Sequence, residues 1–262
     1  MTSIQERIKQ NMIAMRERMS GVCPRIVFER TPRAIRHQSD LPHPVYNRVL
    51  AYSGTSPEDV LDDVGRLSER YRARKVPFTW LTWPHDPGAA SLAEALAAHG
   101  LDKVDEVSGM SLSLAGWTYE GPAIPGFTVR PIRTRAEMAW FREIVPDRFG
   151  FHGEAADVLV RINEAAAMGR HPAFRHYVGF ADGRPAAAAT AFRDGETIGI
   201  YNVATLDGYR RRGLGTALTA HALREGQAAG ARLAVLQSSR MGEGVYRSLG
   251  FGADVAIGIY LG

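Results

Sequence analysis

Apolar positions along this chain follow two periods, and the switches between them mark its elements. Ile4, Ile8, Met12, Met15 and Met19 share one helical face over residues 2–19, with Glu6, Lys9, Arg16 and Glu17 mostly elsewhere, which predicts an amphipathic helix packed on its own domain. Residues 25–29 and 45–52 read as short strands around a polar loop holding Pro32, Pro42 and Pro44. Ser56-Pro57-Glu58-Asp59 opens a helix to about Arg74, because a capping residue, a first-turn proline and early acids all favour a helix start. A strand over 77–83 follows, closed by the loop 84–88. Ser91 with Glu94 then forms a capping box for a helix stopped by Gly100, and a strand spans 103–114.

Gly121, Pro122, Pro125 and Gly126 interrupt both periods, so a domain boundary is expected between 116 and 126. The reading is two units, residues 1–120 and 121–262. The second opens with a strand over 127–132, a helix from the Thr134/Glu137 capping box to about Val145, and a helix over 153–168. Strand candidates at 176–181, 185–192 and 196–205 are joined by Asp182-Gly183 and Asp194-Gly195, both tight-turn signals. A helix over 214–229, a buried-type strand over 231–238, a short helix over 242–249 and a strand over 251–260 complete the chain.

The order helix, strand, helix, Gly-apolar, strand occurs twice, ending once after Gly100-Leu101 and once after Gly250-Phe251. The halves therefore read as tandem repeats. Composition adds exclusions. No apolar run approaches the roughly 18 residues of a membrane span, and the charged N-terminus has no secretory h-region, so a soluble, cytoplasmic protein is expected. Cys23 is the only cysteine, which excludes a disulfide framework and a cysteine-rich zinc site; no metal is expected. The net charge is +4 and the basic residues, almost all arginine, are dispersed, so nucleic acid is not expected as a partner.

The chemistry concentrates at Tyr209-Arg-Arg-Arg-Gly-Leu-Gly215, between a strand end and a helix start. Gly213 and Gly215 allow close backbone approach, and the free amides of the helix start share the positive end of its dipole. That arrangement cradles phosphate. A dinucleotide-binding oxidoreductase is excluded, because the glycines do not follow Gly-x-Gly-x-x-Gly and an antiparallel meander precedes them.

The element order, Arg210-Arg211-Arg212-Gly213-Leu214-Gly215 and Tyr246-Arg247-Ser248-Leu249-Gly250-Phe251 together resemble the GNAT superfamily of acyl-CoA N-acyltransferases over residues 127–262. The first half resembles a degenerate copy, with Ser53-Gly54-Thr55-Ser56-Pro57 opposite the cradle and Leu96 opposite Tyr246. The resemblance implies a mixed α/β acyl-CoA N-acyltransferase fold of two such units. It also implies an N-acetyltransferase acting between acetyl-CoA and a primary amine of a small acceptor, as a monomer or homodimer. The alternative is a non-catalytic acyl-CoA-binding regulatory or interaction module.

By the same resemblance, the pyrophosphate of acetyl-CoA lies on the amides of Arg211, Arg212, Gly213, Leu214, Gly215 and Thr216, with the arginine side chains, Arg210 included, adding charge at the rim. Val203, Ala204 and Thr205 bind pantetheine and polarise the thioester carbonyl. Tyr246 is the acid that protonates the departing thiolate, and Glu196 is the candidate base, acting through water. Tyr201 and Asn202 flank the reaction centre, and Phe149, Phe151 and His152 form the acceptor wall. Ser239 is in the cofactor set but stands where many members carry asparagine, and Gly242 where alanine is usual.

Overall fold

In the computed structural model, residues 2–169 and 173–262 are described. The chain folds as two compact units, both discontinuous: Met1–Met19 with Met110–Ala253, and Ser20–Gly109 with Asp254–Gly262. This differs from the boundaries read from the sequence. Helix α1, Ile4–Gly21, belongs almost entirely to the larger unit, where the Arg7 guanidinium donates to Thr197 Oγ1 at 2.8 Å and Tyr201 Oη donates to Asn11 Oδ1 at 2.7 Å. A linear reading assigns a helix to its sequence neighbours, whereas its apolar stripe is satisfied by whichever sheet face is free.

In the smaller unit, β1 (Val27–Arg30), β2 (Ala34–Gln38), β3 (Arg48–Tyr52) and β4 (Thr79–Thr82) lie in that order. Strand β2 stands where the sequence predicts a loop, because Pro32 and Pro42 bracket it and its Ala-Ile-Arg-His-Gln sequence hides the alternation. Helix α2 (Pro57–Arg72) packs against α3 (Ala89–Ala98). Gly88 at φ 74°, not Ser91, occupies the cap position of α3. Trp80, Tyr71, Phe78, Val60, Val64 and Leu96 are wholly buried between these elements.

The larger unit carries the meander foreseen from the sequence. Strand β5 (Asp102–Ser113) enters it at Met110, and β6 (Phe127–Pro131), β7 (Phe174–Ala181), β8 (Arg184–Asp194), β9 (Thr197–Thr205) and β10 (Leu233–Ser238) complete a sheet in the order β5-β10-β9-β8-β7-β6. Asp182 and Gly183 both have positive φ, the signature of a two-residue hairpin turn. Helices α4 (Met138–Arg148) and α5 (Gly153–Met168) precede β7, and α6 (Leu214–Ala228) links β9 to β10. The Thr134/Glu137 box forms reciprocally, Glu137 Oε2 accepting from the amides of Arg133 and Thr134 and the Glu137 amide donating to Thr134 Oγ1.

Packing of α6 decides where the site falls. Ala186, Ala187, Ala188 and Ala189 of β8 are completely buried, and small side chains let a helix approach a sheet closely. A Cβ at Gly226 would stand 2.3 Å from Ile198 Cδ1, so α6 sits directly on β9. Its N-terminus is thereby fixed beside the end of β9.

The last strand, β11 (Gly252–Leu261), shows why contiguous halves fail as units. Its residues from 254 onward belong to the smaller unit and pair antiparallel with β4, Gly258 opposite Thr82 and Leu261 opposite Thr79. On its other edge β4 pairs with β3 only at Thr79 and Trp80, and since Phe78 and Gly262 exchange both backbone hydrogen bonds, the alternation turns the Thr82 backbone groups to β11 and those of Leu81 to β3. Deleting residues 254–262 should therefore abolish amide-exchange protection at Thr82, leave Leu81 protected through β3, and lower the melting temperature of the smaller unit by roughly 5 °C or more. Unchanged protection of Thr82 in the truncated protein would show that the pairing contributes nothing.

Candidate functional site

Strands β9 and β10 run parallel and in register from Thr197–Leu233 to Ile200–Leu236, and no register pair follows. Strand β9 continues to Thr205 on its β8 side alone. The cause lies in β9: Tyr201 faces Thr190 and Ala204 faces Ala188, so Ala189 stands opposite both Asn202 and Val203. An extra residue on one strand is a β-bulge, which bends the strand that carries it. Asn202 takes φ 52°, a left-handed conformation that asparagine tolerates better than other residues with a Cβ. The β10-facing backbone groups from Tyr201 to Thr205 are left without a strand partner.

A buried relay holds the bulge. Asn202 Nδ2 donates to Thr190 Oγ1 at 3.0 Å, and Thr190 Oγ1 is 2.8 Å from His176 Nδ1. His176 Nε2 is 3.0 Å from the Asn163 carbonyl oxygen. A carbonyl only accepts, so the Nε2 bond fixes the proton there; Nδ1 must then accept from the Thr190 hydroxyl, whose lone pairs receive Asn202. Every polarity in the chain is determined. His176, Thr190 and Asn163 are essentially inaccessible, and burial lowers the His176 pKa to about 4, so the imidazole is neutral.

Beyond β9 the chain forms a short 3-10 turn, Asp207–Tyr209, then Arg210 in extended, Arg211 at φ 59° and Gly213 at φ 78°, before α6 begins. Left-handed residues interspersed in a turn point successive amides to one side, forming an anion-binding concavity. Among the described residues, none of the amides from Arg211 to Thr216 donates to a protein acceptor. Gly213 is required by its backbone. Gly215 is not: a Cβ there would meet only Thr205 Oγ1 at 3.8 Å, so its missing side chain leaves room above the helix start that the fold itself does not need.

The three arginines differ. Arg210 is tied to Asp207 Oδ1 at 3.1 Å, and the same oxygen takes Arg148 Nη1 at 2.5 Å. Arg148, at the end of α4, thus links the 149–152 loop to the turn, and its hydrogen bond to Asp207 holds that carboxyl below its ordinary pKa. The Arg212 guanidinium lies 5.6 Å above the Tyr209 ring. Arg211 is exposed and makes no protein ion pair or hydrogen bond among the described residues, which leaves it available to a ligand.

Tyr246 lies on α7 (Glu243–Arg247), edge-on to Phe251 at 5.9 Å. Burial raises its pKa to about 12, so the hydroxyl stays protonated. No protein group takes that hydroxyl as a partner among the described residues. A Cβ at Gly242 would stand 2.9 Å from Ser238 Oγ and 3.5 Å from Tyr246 Cε2. Glycine therefore replaces the usual alanine because Ser238 fills that space, and the Tyr246 ring is brought to the end of β10. Ser239 contributes its carbonyl to local bonds from Ser238 Oγ and the Gly242 amide, and its side chain is exposed.

Other assignments change. Glu196 is a turn residue of the β8–β9 hairpin, paired with Arg232 at 3.1 Å, and stands six residues, about 20 Å along an extended strand, from Asn202. It is not brought to the site. Tyr201 donates its hydroxyl to Asn11 on α1, and burial pushes its pKa far above the ordinary phenol value; it supports the strand. Phe151 is buried, Phe149 is exposed, and His152 is exposed at the cap of α5. The sequence reading missed His176, Thr190, Asn163, Arg148 and Asp207, none of which carries a motif. It also missed Gln237, on β10 one residue past the last pair, whose amide nitrogen is buried without a partner.

The smaller unit has the same divergence and fills it. After Val49–Trp80, β3 and β4 share no register pair, and there the buried Trp83 indole donates to the Leu50 carbonyl at 2.9 Å. Gly88 presses on the turn before α2, a Cβ at 88 standing 2.4 Å from the Gly54 carbonyl oxygen.

The relay makes a thermodynamic prediction. Native His176 stays neutral to about pH 4, while an unfolded histidine protonates near 6.5. The unfolded chain binds more protons between those values, so stability present above pH 6.5 falls as pH drops toward 4, on the order of 3 kcal/mol in all. Denaturant titrations should show this slope in the parent protein and lose it in His176→Gln; equal slopes would remove His176 as its source. Thr190→Val, which orphans both neighbours, should cost about 1–3 kcal/mol and Thr190→Ser much less.

Comparison with known proteins agrees with this geometry. Residues 138–251 match the model of the "Acetyltransferase (GNAT) family". No curated protein matches the chain. Among solved structures, a GCN5-related N-acetyltransferase from Kribbella flavida superposes with TM-score 0.75 at 20% identity, over 99% of this chain and 96% of that one. A GCN5-related N-acetyltransferase from Sphaerobacter thermophilus gives 0.69 at 14%, over 89% and 81%. A tandem GNAT protein from the clavulanic acid biosynthesis pathway gives 0.62 at 15%, over 91% and 83%. These likenesses establish the acyl-CoA N-acyltransferase fold, and within it residues 138–251, less than half of the chain, are similar to the GNAT acetyltransferase family.

Proposed function

We propose that this protein transfers an acetyl group from acetyl-CoA to a primary amine of a small acceptor, using one site per chain, in the larger unit. The observation that carries the reading is the row of unpartnered amides from Arg211 to Thr216 beside the open edge of β9. A helix start with free donors suits a pyrophosphate, and an unpaired strand edge suits the amides of a pantetheine arm. Arg211 adds charge at the rim, and the orphaned Gln237 amide is a further donor beside the same opening.

When bound, acetyl-CoA supplies an acyl group already activated as a thioester. The chain's own residues then position and protonate. The relay fixes Asn202, so the neighbouring backbone groups are held in place before reaction, which is where preorganised donors are effective. In transfer the amine nitrogen forms a bond to the acyl carbon, the carbon–sulfur bond breaks, and the nitrogen's surplus proton leaves to water. Tyr246 gives its proton to the departing sulfur and regains one from solvent. A free amine needs no protein base, consistent with the placement of Glu196 away from the strand end.

The smaller unit supports a single site. Trp83 takes a carbonyl where β3 and β4 part, and the turn before α2 has no left-handed residue of the kind found at Arg211 and Gly213. This is the reading of a degenerate first copy that keeps the scaffold for packing.

Calorimetry and steady-state kinetics test these roles separately. Gly215→Val should stay folded, within about 1 kcal/mol of the parent, and weaken acetyl-CoA binding at least tenfold; unaltered affinity would remove the cradle. On an amine found by thiol-release screening, Tyr246→Phe should lower kcat about 100- to 10,000-fold with KM for acetyl-CoA little changed. Glu196→Gln should leave both constants unchanged. Binding of one acetyl-CoA without turnover on any amine would instead favour the non-catalytic binding module.

A further inference from the structure

The smaller unit holds a cavity of about 400 Å³ that the transferase reading does not use. Its chemistry follows from spacing. Asp63, Arg66, Leu67 and Arg70 stand at helical intervals on one face of α2, and Ala34 and Arg36 share one face of β2, so a site normally lined by apolar residues is lined by guanidinium groups. Arg33, on the turn before β2, adds a fourth arginine. Asp63 is the one carboxylate in the lining.

The acids are already committed. Asp63 Oδ2 accepts the Tyr52 hydroxyl at 2.8 Å and Arg33 Nη1 at 3.1 Å, and Oδ1 accepts from Arg66. Asp59 takes the other arm of Arg33 at 3.0 Å. Glu29 binds Arg36 Nη2 at 2.5 Å, and Gln38 takes Arg36 Nη1 at 2.7 Å, so Arg36, 1% exposed, is a fixed cation at the cavity wall. Arg70 reaches Glu29 only at 3.6 Å and makes no hydrogen bond among the described residues, and Arg66 makes one. Two guanidinium forks one helical turn apart thus face the same cavity with most of their donors unused, in front of a buried third. Like charges at that spacing repel, and a bound oxyanion converts the repulsion into paired, charge-assisted bonds.

We propose that this cavity is a binding site for a small organic oxyanion, a compound whose phosphate or carboxylate group bridges Arg66 and Arg70 while Leu67 and Pro32 contact its carbon frame. The volume suits a small metabolite, at the low end of ordinary ligand sites. The site is separate from the cradle, and the proposal stands whether or not the transferase reading does. Since Trp83 closes the cofactor opening of this unit, a second small ligand gives the unit a binding role of its own.

The test is isothermal titration of the full chain at low ionic strength with ribose 5-phosphate, inorganic phosphate, succinate and uncharged ribose. Each titration is run on the parent, on Gly215→Val and on the double variant Arg66→Gln with Arg70→Gln, whose side chains are exposed enough to leave folding intact. The expected result is saturable binding of ribose 5-phosphate or succinate, unchanged in Gly215→Val and at least tenfold weaker in the arginine variant, with ribose silent. Preference between the two organic probes identifies phosphate or carboxylate as the recognised group. Absence of binding to any anion overturns the proposal. So does binding of equal strength in the arginine variant, or loss only in Gly215→Val, which would assign the anion to the cradle.

Discussion

The transferase site proposed for this protein depends on two parallel strands parting company. Strand β9 stays beside β10 for four register pairs and then leaves it, because one extra residue at Asn202 bends β9 toward β8. Unpaired backbone groups in the middle of a sheet are costly unless something satisfies them. The protein keeps this opening while burying a four-residue hydrogen-bonded relay to hold it, with Asn202, Thr190, His176 and Asn163 each in a determined polarity. The opening is thus stabilised by the core, and helix α6, seated directly on β9 through Gly226, delivers its free amides beside it.

The two units show that such an opening has two outcomes. In the smaller unit the parted strands are closed by the Trp83 indole, which takes the freed Leu50 carbonyl, and the turn before α2 carries Gly88 against Gly54. Among the described residues the larger unit has no such plug. On the proposed reading of two related units, the smaller one has no cofactor site because its own Trp83 satisfies a group that a ligand would. The free arginine donors on α2 mark a different opening, away from the lost one.

Much of this was legible in the residues, and the failures have physical causes. The hairpin turn at Asp182-Gly183, the Thr134 capping box and the left-handed turn at Gly213 are local, and local chemistry reads directly from sequence. Strand β2 was invisible because Arg36 and His37, both buried, satisfy themselves through Glu29, Gln38 and the Val45 carbonyl, and a polar pattern does not announce a core strand. The unit boundaries failed because α1 and the last residues of β11 pack with partners remote in sequence. Glu196 was proposed from its nearness to the central strand, yet strand length separates its two ends by more than any water bridge. The relay had no motif to find, since threonine, histidine and asparagine at 190, 176 and 163 become related only when three elements meet.

The most direct test of a single, open cofactor site is a nitrogen-15 amide titration of the intact protein with acetyl-CoA. The account predicts saturation at one equivalent, with the largest shifts at Arg211 to Thr216 and at Asn202 to Thr205, and no change at Gly54, Leu50 or the Trp83 indole. Shifts of comparable size at those smaller-unit positions, or a titration that leaves the Arg211 to Thr216 amides unmoved, would contradict it.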